Sequence, residues 1–279
     1  MPHTAIDIAR TIEFALARQS SAMVDAFRRV DPASPACLVP LGGHALATFF
    51  LPRHPLGRIH ALGLDPDDPA PQFPEALDHA VGFYHARAAQ ARIDLCPLAA
   101  PALVEALASR GFRLSSFLNV FFAPRTDLST PLEHPPAISV SPVEPHQLEA
   151  WADTIGRGFH QGEPAPGHLL DISRAALRCE HAAGFLAHLE ARPAGGGSLS
   201  LISLPDARVA ILFGGSTLPW ARRRGVQAAL LSARIRHALD HGADLLVVQS
   251  TPGTDSERNI LRAGFSLAYT KPVLALPPP

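Results

Sequence analysis

Apolar side chains recur every four residues at Leu231, Ile235 and Leu239, the spacing that lines one face of an α-helix. The pattern predicts a helix from about Val226 to Asp240, stopped by His241-Gly242. Leu245 to Val248 then forms an unbroken apolar run, typical of a strand buried on both faces. Upstream the period falls to two. Leu199 and Leu201 alternate with serines after Gly195-Gly196, which predicts a glycine turn leading into one strand of a hairpin, with Val209 to Phe213 as a second strand. Ile138 to Val143 reads as a strand and Leu148 to Phe159 as a helix. Towards the end, a short helix with polar Ser256 and Asn259 meets Gly264, a glycine C-cap, and a last strand follows. Helices alternating with strands around a mixed sheet make the fold class α/β, or α+β.

The pattern occurs twice. The stretch from Pro40 to Pro52 matches that from Pro193 to Pro205 at both prolines, both glycines and two leucines, 153 positions apart. The same offset pairs Pro66 with Pro219, Gly111-Phe112 with Gly264-Phe265, Leu114 with Leu267, Val120 with Val273 and Pro124 with Pro277. Several blocks with no net gap indicate a tandem duplication. The proline-rich stretch from Pro131 to Pro136 reads as the linker. Two domains are therefore expected, 1–130 and 131–279, and superposing them should place Gly43 on Gly196 and Gly111 on Gly264.

Composition narrows the function. The 279 residues suffice for two cores of ordinary size. A net charge of −1, without a basic stripe or interleaved aromatics, argues against a nucleic-acid or anionic-membrane partner. No apolar run is long enough to span a bilayer, and Asp7, Arg10 and Glu13 interrupt the opening where a signal peptide needs an apolar core. Cys37, Cys96 and Cys179 show no paired spacing, so a reducing, cytoplasmic location is expected. The 14 histidines lack HExxH or comparable spacing, and no metal site is expected. Lys271 is the only lysine.

Against this neutral background, Arg222, Arg223 and Arg224 stand together before Gly225, between a strand and a helix. That geometry binds phosphates through backbone N–H groups and the helix dipole. The dipole contributes only ~0.3–1 kcal/mol, up to about 2 when partly buried. Arginine adds charge-assisted bonds on the order of 1.5–3 kcal/mol each. Together they suffice to hold a pyrophosphate. Read from these residues alone, a solvated basic turn ahead of an amphipathic helix remains the alternative.

The stretch from Thr217 to Ala228 resembles the coenzyme A pyrophosphate loop of the GNAT acetyltransferases: a Gln or Arg, two residues, a Gly, one residue, and a Gly or Ala. The stretch from Pro252 to Phe265 is similar to the family's last helix with its terminal Gly-Phe, and the motif order fits from about residue 137 to the end. The resemblance implies tandem GNAT-like domains, each a mixed, mainly antiparallel twisted sheet flanked by helices. It implies direct transfer of an acetyl group from acetyl-CoA, as cosubstrate, to an amine. Backbone amides from Arg223 through Gly225, Val226 and Gln227 to Ala228 would hold the pyrophosphate, with Arg222 and Arg224 adding charge. Pantetheine would lie between strands that splay near Thr217 and Gln249, and a backbone N–H near Leu218 would stabilise the oxyanion. Ser256 and Asn259 would face the cofactor, while Glu163 and His160, in the acceptor-side loop, are candidates for the base that deprotonates the amine.

Two positions depart from the family pattern. Gln227 stands where the family has Gly or Ala, and Ile260 occupies the slot of its usual tyrosine general acid, leaving Tyr269 as a replacement or as an ordinary core tyrosine. In the first half the loop becomes Pro66 to Phe73, with Pro69 in place of Arg222, Pro71 in place of Arg224 and Gln72 in place of Gly225. Prolines delete N–H donors, and Asp67 and Asp68 would repel phosphate. The first half is thus expected to be a degenerate domain without the CoA loop, leaving one site per chain. The acceptor, a small-molecule or peptide amine, stays open, as does oligomeric state, a homodimer included. An acyl-CoA-binding sensor without turnover is the alternative function, favoured by the missing tyrosine.

Overall fold

The computed structural model describes residues 4–65, 73–128 and 135–278. In chain order the elements are α1 (Ala5–Val30), β1 (Cys37–Gly42), β2 (Ala45–Phe49), β3 (Ile59–His60), α2 (Phe73–His85), β4 (Ala91–Asp94), α3 (Pro101–Ser109) and β5 (Arg113–Pro124). There follow β6 (Ile138–Pro142), α4 (Leu148–Phe159), α5 (Gly167–Ala176), β7 (Ala182–Leu189), β8 (Arg192–Ser203) and β9 (Arg208–Thr217). The chain closes with α6 (Val226–Asp240), β10 (Leu245–Ser250), α7 (Asp255–Arg262) and β11 (Ser266–Leu276). Two compact units form, one from Met1–Val120 with Ala268–Pro279, the other from Phe121–Leu267.

In the first unit, Thr4 caps α1 by accepting from the Asp7 amide, and Arg28 and Arg29 in the last turn complement the helix dipole. The buried stripe of α1 carries Ile12, Leu16, Val24 and Phe27, and also Glu13. The sheet runs β1-β2-β3-β4-β11-β5. β3 lies parallel to β4 across the α2 connection, whereas β1–β2, β2–β3 and β4–β11 are antiparallel. The last strand of the chain therefore completes the first sheet, from Val273 opposite Asp94 to Leu276 opposite Ala91. Glu13 holds it there: Lys271 Nζ donates to Glu13 Oε2 at 2.8 Å and the Tyr269 hydroxyl donates to Oε1 at 2.6 Å. Both charged side chains are only 3% exposed. The expected boundary between 130 and 131 thus differs from the structure, because pairing with β4 and the buried ion pair draw residues 268–279 into the first unit.

In the second unit the order is β5-β10-β9-β8-β7-β6, with β6 to β9 successively antiparallel and β9 parallel to β10 across α6. Phe185, Leu199, Leu212, Leu230, Leu246 and Phe265 form its core. α4 and α6 span the residues their apolar periods predict, and Gly264 takes φ +89° directly after α7, as a glycine C-cap requires. Gly195 and Gly196, expected in a turn, lie inside β8. The β7–β8 turn is made by Glu190 and Ala191, at φ +54° and +62°. The glycines are there for close packing. A Cβ on Gly195 would lie 3.1 Å from Val226 Cγ1, and one on Gly196 would lie 2.9 Å from Ile155 Cγ1. Because strand residues alternate in direction, this puts α6 on one face of β8 and α4 on the other.

The repeat accordingly holds in part. α2 and α6, β4 and β10, α3 and α7, and β5 and β11 correspond at the common offset, and Gly111 and Gly264 both follow a helix with positive φ. Gly43 sits in the β1–β2 turn at φ +47° while Gly196 is within a strand, so that expected pair does not match. Residues 66–72, where the first half departs from the arginine loop, and residues 131–134 of the expected linker lie outside the described residues.

Removing one partner of a buried ion pair strands the other charge. Lys271→Ala is expected to lower unfolding free energy by about 3–5 kcal/mol in denaturant titrations, and Glu13→Leu with Lys271→Met by much less. Equal losses in the two proteins would show that the charge pairing is not what matters.

Candidate functional site

The site begins with a miscount between strands. β8 and β9 pair through Ser198–Phe213 and again through Gly196–Ser216, so β9 carries one residue more than β8 in between. Gly214 absorbs the resulting bulge at φ +62°. Beyond it β9 stays with β8 as far as Thr217 opposite Gly195, whereas its pairing with β10 ends at Leu212–Val248. The two parallel strands part there. A cleft of about 660 Å³ opens against Gly215, Ser216 and Thr217, bounded by the end of α4, the loop after β9, the start of α6 and one face of α7.

After Thr217 a single 3-10 turn, Pro219–Ala221, leads into the arginines. Each has a different target. Arg222 turns back, donating to Gln161 Oε1 at 2.8 Å, Gly158 O at 3.2 Å and Thr217 O at 3.4 Å, and so fastens the loop to the end of α4. Arg224 pairs with Glu190 on the β7–β8 turn at 2.5 Å and does not line the cleft. Arg223, at φ +60°, lines the cleft and makes no side-chain hydrogen bond or ion pair among the described residues.

Gly225 is the N-cap of α6, and no side chain caps this helix start. The first amides of a helix have no carbonyl partner within it, and Gly225, Val226, Gln227 and Ala228 all border the cleft. The Gln227 side chain is held by Thr217, whose hydroxyl donates to Gln227 Oε1 at 3.4 Å. Opposite, α7 presents Asp255, Ser256, Arg258, Asn259 and Arg262. Four arginines therefore face one aspartate, itself ion-paired to Arg258. Arg258 and Arg262 were not singled out from sequence, although their spacing of four puts them on one helix face.

The structure gathers Thr217, Arg222, Arg223, Gly225, Val226, Gln227, Ala228, Ser256 and Asn259 around one cleft and leaves other candidates outside it. The Leu218 N–H donates to Ala194 O at 2.9 Å, so it is spent on strand pairing rather than free for an oxyanion. Tyr269 belongs to the first unit, where its hydroxyl donates to Glu13, and burial together with that carboxylate raises its pKa far above the ordinary phenol value. It is a core tyrosine, not a general acid for this cleft. His160 and Glu163 are exposed in the turn after α4 and do not line the cleft. Among the described residues no group of histidine, cysteine, aspartate and glutamate has the arrangement to hold a metal ion, and no helix is long and apolar enough to cross a membrane.

No protein-family model matches the chain, and no curated protein matches its sequence significantly. Solved structures do resemble it. A GCN5-related N-acetyltransferase from Kribbella flavida aligns over 94% of this chain and 96% of its own, with TM-score 0.64 and 21% identity. A tandem GNAT protein from the clavulanic acid biosynthesis pathway aligns over 93% and 94%, with TM-score 0.58 and 14% identity. A conserved protein of unknown function from Staphylococcus epidermidis aligns over 84% and 91%, with TM-score 0.57 and 10% identity. The fold is that of the GNAT acetyltransferases in tandem.

The backbone at Gly225 calls for a glycine. Its φ is +90°, and an added Cβ would come within 2.7 Å of Pro135 Cδ and 3.4 Å of Ile138 Cδ1. Gly225→Ala is therefore expected to cost about 1–3 kcal/mol of stability through backbone strain and overpacking. Thermal unfolding checks this, and an unchanged midpoint would contradict it.

Proposed function

We propose that this chain is an acetyl-CoA-dependent N-acyltransferase with one working site, in the second unit, and that its acceptor is a small-molecule or peptide amine. The observation that carries the reading is the uncapped start of α6, opening into a cleft where four arginines face one aspartate. Amides of Val226, Gln227 and Ala228 would receive the pyrophosphate, and Arg223, which has no side-chain hydrogen bond or ion pair among the described residues, would add a charge-assisted bond. The gap between β9 and β10 would take the pantetheine arm. Acetyl-CoA would supply the activated acyl group, and the protein would contribute chiefly positioning, which needs no protein nucleophile. Cys37, Cys96 and Cys179 form no disulfide among the described residues, which suits the reducing cytoplasm where we place the protein.

A second reading, an acyl-CoA-binding sensor without turnover, draws support from the cleft lining, which holds no tyrosine, histidine or glutamate among the described residues. Release of free thiol from acetyl-CoA across an amine panel separates the two. Turnover with any amine supports the transferase, and tight binding without release supports the sensor.

Calorimetric titration with acetyl-CoA is expected to saturate at about one equivalent per chain; two equivalent sites would contradict a single working half. Arg223→Ala is expected to weaken binding at least about tenfold, since a charge-assisted bond is worth roughly 1.5–3 kcal/mol. Its thermal midpoint should stay unchanged, because the side chain is exposed. Unaltered affinity in this variant would remove the loop from the site.

A further inference from the structure

Arg234 lies in α6 with only 2% of its surface exposed. Its Nε donates to Leu230 O at 3.1 Å, and Nη1 lies 3.4 Å from both Ser198 O and Phe213 O, the carbonyls beside the β9 bulge. It forms no ion pair among the described residues. Burial pulls its pKa down to about 10, which leaves it charged at neutral pH. A Cβ on Gly215 would lie 3.2 Å from Arg234 Nη2, and one on Gly197 would lie 3.0 Å from its Cζ. Gly215 lines the cleft. An uncompensated cation therefore stands behind the cleft's strand wall, one glycine away.

Burying a charge without a partner is costly. Arg234 nonetheless bonds to three backbone carbonyls, two of them beside the bulge, and does so with a full charge. What the guanidinium adds beyond its donors is a positive charge in a buried surrounding, beside Gly215 of the cleft wall.

On the acyl-transfer reading above, we propose that Arg234 is a positioning residue of the cleft. It holds the β9 bulge and, through the Gly215 wall, stabilises negative charge on the reacting thioester. In the reaction the neutral amine attacks the thioester carbonyl carbon. A C–N bond forms, the C–S bond breaks and the sulfur leaves with the electron pair. The proton lost from nitrogen passes to water, and the thiolate takes one up, so acetyl-CoA and amine give amide and CoA thiol. Charge develops first on the carbonyl oxygen and then on sulfur, and a fixed cation favours both. The charged groups on the cleft's own walls are Arg222 and Arg223 on the loop and Asp255, Arg258 and Arg262 on α7. Among the described residues the α4 and strand walls present no charged side chain, and Arg234 stands behind the strand side.

The test is the titration of CoA's own thiol, followed by thiolate absorbance with CoA bound to the full chain, after calorimetry has measured binding. In the wild type the bound thiol is expected to titrate about one pH unit below that of free CoA. Arg234→Lys should keep most of that difference. Arg234→Gln and Arg234→Met, both neutral, should abolish it while CoA still binds. An undisplaced thiol in the wild type, or a displaced one in either folded neutral variant, would overturn the assignment of Arg234 alone. Absence of CoA binding in the wild type would overturn the acyl-transfer reading and this proposal with it.

Discussion

One extra residue in β9 governs the second unit. Had β8 and β9 kept register through Gly214, β9 could have continued beside β10 and left no space between them. Instead β9 follows β8 to Thr217, parts from β10 at Leu212, and leaves a gap at the point where two parallel strands would otherwise be sealed together. The loop that must then return to α6 starts at the lip of this gap. It delivers the unpaired amides of the helix to the same place. The cleft thus follows from a single bulge, and three glycines in a row on β8 are what allow α4 and α6 to close on it from either side.

The arginine cluster illustrates how local charge divides its work. Arg222 is structural in this state, binding two backbone carbonyls and Gln161, while Arg224 neutralises Glu190. Of the three, Arg223 lines the cleft and makes no side-chain hydrogen bond or ion pair among the described residues. The positive character of the cleft therefore owes as much to Arg258 and Arg262 of α7 as to the motif that first draws attention. A chain with net charge −1 can in this way present a strongly basic pocket without a basic surface.

Those parts of the fold whose cause is local were legible in the sequence. Helices α4 and α6 follow from apolar side chains on one face, β10 from an apolar run, and the end of α7 from Gly264, whose positive φ few other residues adopt. What could not be read depends on distant partners. Gly195-Gly196 signals a turn to any local rule, and only the approach of Val226 and Ile155 explains two glycines inside a strand. Tyr269 looked available because its partner, Glu13, is 256 residues away. Arg234 reads as an ordinary polar position of an amphipathic helix, and its burial is visible only once the bulge is in place. The repeat predicted matching elements but could not reveal that β11, counted with the second half, completes the first unit's sheet.

The central claim is that the start of α6 is an anion site made by the parting of β9 and β10. A crystal structure of the chain with acetyl-CoA tests it most directly. The account predicts the diphosphate within hydrogen-bond distance of the Val226, Gln227 and Ala228 amides, with the thioester arm running along Gly215 to Thr217. A nucleotide bound elsewhere, with those amides facing water, would contradict it.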